Sequence, residues 1–80
     1  MSTYHVALRT DVFTKAAQLA GYRSDYKLSQ AMGLNRSTVT RVLSGELHPG
    51  PAFIAGALTA LTPMAFDDLF DIVTNPDGRG

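Results

Sequence analysis

Residues 25–45, DYKLSQAMGLNRSTVTRVLSG, constrain this chain more than any other stretch. Leu28 and Met32 stand four apart, on one face of a helix, and Ser29 beside them is small enough for a second helix to cross close by. Gly33 falls where a left-handed residue ends such a helix. Leu34 plugs the turn, and Asn35 is a good cap for the next helix. There Val39, Val42 and Leu43 lie on one side, at i, i+3 and i+4. At about 100° per residue, Ser37, Thr40, Arg41 and Ser44 gather on the opposite side, with Arg36 flanking them at the first turn. The spacing predicts two short helices over an apolar seam. The second, from Arg36 to Ser44, is roughly 13 Å long at 1.5 Å per residue and presents two arginines among small hydroxyls. Such a face is poor for catalysis and good for a DNA groove.

In spacing and residue types this segment resembles the helix-turn-helix of the Cro/cI (Xre-type) DNA-binding proteins of phages and bacteria. That pattern wants apolar residues where Leu28, Met32, Leu34, Val39 and Val42 stand, a small one at Ser29 and glycine at Gly33, and all seven fit. The match is specific over the 21 residues 25–45. It extends loosely over residues 10–73, because the family has one helix before the motif and two after it. Two departures stand out. The family often has a phosphate-bonding Gln where this chain has Asp25. A carboxylate there suits the helix dipole but cannot bond an unprotonated phosphate, so that contact is not carried over. Ser29 replaces the more usual Ala. RSTVTRVLSG also resembles the LacI-type motif, but in that family the motif begins within a few residues of the amino terminus and a hinge helix follows. Here a full predicted helix precedes it.

The resemblance implies a mostly α, five-helix, lambda-repressor-like domain spanning residues 1–74, with 75–80 as a flexible tail. It implies a small transcriptional regulator, a repressor or Cro-like protein, that binds double-stranded DNA sequence-specifically. The second motif helix would enter the major groove while the first lies across the backbone. Such domains usually act as homodimers on near-palindromic operators with half-sites about one turn (34–36 Å) apart. Dimer contacts are expected near residues 61–73 or in the terminal strand. Arginine reads guanine O6 and N7 bidentately, so Arg36 and Arg41 are the expected base readers. Ser37 and Thr40 suit a base or a phosphate. Ser44, near the helix end, and Thr38, on its flank, are better placed for the backbone. Lys27 and Gln30, on the outer face of the first motif helix, are either phosphate contacts that position without reading sequence or an ordinary wet face. Arg23 and the cap Ser24 form an expected phosphate anchor at the helix amino terminus.

The formal net charge is zero, which argues against nucleic acid until its distribution is considered. Residues 21–45 hold Arg23, Lys27, Arg36 and Arg41 against Asp25, a local charge of +3, whereas residues 46–80 carry −4. DNA responds to the surface it meets rather than to the total. Three to five basic groups per subunit predict only a moderate salt dependence.

Eighty residues make one domain, with no room for a separate effector-binding domain. The chain has no cysteine and no apolar run near the roughly 18 residues that span a membrane. Its start lacks the layout of a signal peptide. A soluble, cytoplasmic protein of phage or bacterial origin is expected. His5 and His48, the only histidines, lie far apart in sequence with no cysteine near them, so no metal and no cofactor is expected. The serines fall in caps or on the polar stripe, no phosphate-cradling GxxxxGK[ST] is present, and Asp67, Asp68 and Asp71 read as a solvated helix face. No enzymatic activity is expected. The competing class is a protein-interaction module, and a third possibility joins the two: an antitoxin-type switch protein that binds its own operator and a second protein.

Elsewhere, Tyr4, Val6 and Leu8 alternate as a short strand, and Thr10 or Asp11 caps a helix carrying Phe13, Ala16, Ala17 and Ala20, stopped by Gly21. Pro51 starts a helix whose main stripe is Ile54, Ala57, Leu58 and Leu61, with Phe53 off it. Thr62-Pro63 starts a last helix with Phe66, Leu69, Phe70 and Val73 on one side. Alternatively Ile72-Val73 is a strand that pairs with Tyr4–Leu8 as a small two-stranded ribbon.

Overall fold

The computed structural model describes residues 3–74. The expected tail, 75–80, lies outside the described residues. Among the described residues, five helices account for most of the backbone: α1 (Thr10–Leu19), α2 (Asp25–Met32), α3 (Arg36–Leu43), α4 (Pro51–Ala60) and α5 (Phe66–Leu69). They are closed by an antiparallel ribbon of β1 (Tyr4–Leu8) and β2 (Phe70–Thr74), with Val6 opposite Ile72 and Leu8 opposite Phe70. No helix among the described residues is long and apolar enough to cross a membrane.

Local signals set most of the helix boundaries. Ser24 Oγ accepts the Lys27 backbone N–H at 3.2 Å, capping α2, and Gly33 ends that helix at φ 73°, a conformation that costs glycine little. Pro51 opens α4 at its first turn, where the missing N–H matters least. Three expectations about caps and helix boundaries need correction. Arg9, rather than Thr10 or Asp11, is the N-cap of α1 and makes no side-chain cap bond. Its backbone is claimed from both sides: Arg9 N–H donates to Leu69 O and Arg9 O accepts from Phe13 N–H, each at 2.8 Å. Asn35 is the N-cap of α3, but its side chain makes no capping bond either.

The third correction concerns the C-terminal segment. The helix predicted from Thr62 is a single turn, Phe66–Leu69, preceded by a cis Thr62–Pro63 peptide, and Phe70–Thr74 is strand. β1 offers that backbone a complete set of ladder partners. Phe70, buried in the strand, packs on Phe53 and Phe66 with ring centroids 6.4 and 5.0 Å apart. Asp68 and Asp71 are not simply solvated: Asp68 Oδ2 accepts from Ala65 N–H at 2.8 Å, and Asp71 pairs with Arg9 at 2.7 Å.

One core joins all five helices to the ribbon. Phe13, Leu28, Met32, Val39, Val42, Phe53, Leu61, Leu69 and Phe70 are buried within it. On α4 the buried line runs through Phe53, Gly56, Ala57 and Leu61, while Ile54 and Leu58 are only half-buried. The expected stripe is thus rotated toward Phe53. The cause is the crossing with α2: a Cβ on Gly56 would sit 2.5 Å from Met32 O, so the two helices meet backbone to backbone there. Ser29, also buried, donates its hydroxyl to Tyr26 O at 2.7 Å and so enters the core without an unsatisfied group.

Candidate nucleic-acid interface

The packing of α3 decides which of its residues face solvent. Val39 and Val42 are buried against the core and Leu43 is half-buried. The opposite side therefore carries Arg36, Ser37, Thr40, Arg41 and Ser44, all exposed, with Thr38 half-buried on the flank. No acidic residue lies on this helix. Two of these side chains are engaged. Ser44 Oγ donates to Arg41 O at 3.0 Å, and Arg41 Nε lies 3.5 Å from Glu46 Oε2. Among the described residues, Arg36 forms no ion pair.

The start of α2 makes a second exposed group, Arg23, Ser24 and Lys27. Ser24 and Lys27 are tied by the capping bond, which places the Ser24 hydroxyl at the helix amino terminus. Arg23, Ser24 and Asp25 line a small crevice with Leu43. The fold thus brings the start of α2 beside Leu43, the last residue of α3. Gln30 faces solvent one turn further on, but its Nε2 donates to the Tyr26 hydroxyl at 3.1 Å.

Three residues were not singled out for the site. Tyr26, half exposed on the first turn of α2, is the partner of Gln30, and the i, i+4 spacing was its sequence signal. Asn35 stands exposed beside Arg36 with a carboxamide not spent on capping; sequence alone assigns it to the cap, because Asn is among the best capping residues. Glu46 carried no signal, since only the turn after α3 brings it to Arg41.

The two histidines, distant in the chain, are neighbours in space. Their rings stack with centroids 4.3 Å apart and planes within 4°, which seats the loop after α3 on the ribbon. Among the described residues no cluster of three or more His, Asp or Glu side chains gathers as metal ligands. On another face an apolar groove of about 400 Å³ runs between α1 and the segment after α4, lined among others by Val12, Leu19, Leu61, Pro63 and Met64. Leu19 in it is 81% exposed. Compared with family models, curated proteins and solved structures, the chain matches none of them.

Proposed function

We propose that this protein is a sequence-specific double-stranded DNA-binding regulator of the lambda-repressor-like, Cro/cI helix-turn-helix class. The observation that carries the proposal is the division of α3. Val39 and Val42 are buried, and the exposed side presents Arg36, Ser37, Thr40, Arg41 and Ser44 with no acid among them. Arginine and small hydroxyl groups supply the donors and acceptors that major-groove base edges require. α3 enters the groove, and α2 crosses the backbone with Arg23, Ser24 and Lys27 toward phosphate. Glycine at the turn and a small buried residue at Ser29 support this class, because they let α2 and α3 cross closely.

A homodimer on a near-palindromic operator is part of the proposal. Selection of bound sites from random duplex DNA tests it, at about 100 mM salt because affinity depends steeply on ionic strength, repeated with Arg36→Ala. The expected result is a palindromic motif that loses preference at one position in the variant. No recovered motif from folded protein overturns it. One observation favours the second reading, a partner-binding or antitoxin-type switch protein: the apolar groove beside Leu19. A pull-down is the experiment to make if no DNA motif emerges.

A further inference from the structure

At the carboxyl end of α3 one carbonyl takes three donors. Arg41 O accepts from Ser44 Oγ at 3.0 Å, from Glu46 N–H at 3.0 Å and from Leu47 N–H at 3.1 Å. Gly45, at φ 84°, turns the chain back, and Glu46 Oε2 arrives 3.5 Å from Arg41 Nε. Glu46 is the only carboxylate between Asp25 and Asp67. The acid that directly follows the basic stretch therefore faces one of the two proposed base readers. Folding stability does not account for the pair: its side chains are 61% and 66% exposed, and such pairs contribute little. The turn is held by backbone N–H groups, which any residue but proline at 46 would leave in place.

We propose that Glu46 is a positioning residue for Arg41, an inference that rests on the DNA-reading function above. A carboxylate at the Nε edge leaves the two Nη groups as the free fork, the pair of donors that fits guanine O6 and N7. The same charge opposes a swing of Arg41 onto phosphate, because the carboxylate would meet the phosphate's like charge. Glu46 thus weakens binding to arbitrary DNA and strengthens discrimination, a repulsive element used for specificity.

The test measures Kd on the selected operator and on a random duplex for wild type, Glu46→Ala, Arg41→Ala and the double variant. Discrimination is the ratio of the two constants. Glu46→Ala is expected to tighten random-duplex binding severalfold and to lower discrimination about tenfold, within the range of one bidentate base contact. Adding it to Arg41→Ala should change discrimination no further. Glu46→Gln, which keeps the shape and loses the charge, should tighten random-duplex binding to the same extent. A common gain on both duplexes would make Glu46 an ordinary surface charge and overturn the inference. So would an equal loss of discrimination with Arg41 absent, which would mean that Glu46 acts without it. Wild-type protein that does not discriminate between the duplexes would instead overturn the DNA-reading function itself.

Discussion

The α2–α3 pair and the segment from Leu61 to Thr74 take their conformations from different sources. In the pair, three of the four helix boundaries are set by a residue at the boundary itself: the Ser24 cap, left-handed Gly33, and the Gly45 turn that folds Glu46 and Leu47 back onto Arg41. In the C-terminal segment, the helical spacing of Phe66, Leu69, Phe70 and Val73 is cut after Leu69, because β1 pairs with Phe70–Thr74. A helix satisfies its backbone within itself, whereas a strand needs a partner, here one more than sixty residues away. The two regions also differ in what they show to solvent. α3 exposes arginines and hydroxyls, while the ribbon exposes Ile72 and Tyr4, each about 60% accessible.

Substitutions can break this contrast or sharpen it. The largest effects belong to the core that the regions share. Val42→Asp buries a charge with no partner, a penalty well beyond that of an unpaired polar group, and should abolish the cooperative thermal transition. Phe70→Ala should cost about 3–5 kcal/mol in urea unfolding and, because one core joins the ribbon to all five helices, keep a single transition for the whole chain. A separate transition of α2 and α3 would show that the pair folds independently of the ribbon. Gly56→Ala comes next: its Cβ would meet Met32 O at 2.5 Å, so the α2–α4 crossing must open. A loss of about 1–3 kcal/mol is expected, and an unchanged melting temperature would show that the crossing yields freely.

Arg36→Ala and Arg41→Ala should leave the melting curve in place and weaken operator binding by about 1–3 kcal/mol where the residue reads a base. Intact binding in both variants would remove the base-reading assignment. The two helix caps give a smaller, paired comparison. Ser24→Ala should cost about 1 kcal/mol, whereas Asn35→Ala, which loses no capping bond, should cost clearly less. Equal losses in thermal denaturation would contradict the difference between the caps. The smallest effect is expected of Lys27→Ala, which should weaken all duplexes alike and lower the salt slope by about one.

The candidate site was more legible in the sequence than the architecture around it. Helical periodicity alone separated Val39 and Val42 from Arg36, Ser37, Thr40, Arg41 and Ser44, since an eight-residue helix packed on one side has few choices of face. What each side chain does next was not legible. Asn35 carries the strongest type of capping residue and makes no cap bond, and Gln30 is held by Tyr26. Glu46 reaches Arg41 only through a backward turn, and His5 finds His48 across the whole of α1–α3. Such contacts depend on where elements end and lean, to which composition and spacing are blind.

By itself, then, the sequence determined the helix–turn–helix geometry of residues 25–45, the polar stripe on α3 and the positive charge around it. All three follow from interactions that close within a few residues. Tertiary structure alone decided between helix and strand after Leu69, rotated the buried face of α4 toward Gly56, and set Glu46 against one arginine of the stripe while leaving the other unpaired among the described residues. Each of those outcomes turns on a partner distant in the chain or on the path of a turn. Local preference could not rank them, because the competing conformations satisfy it almost equally well.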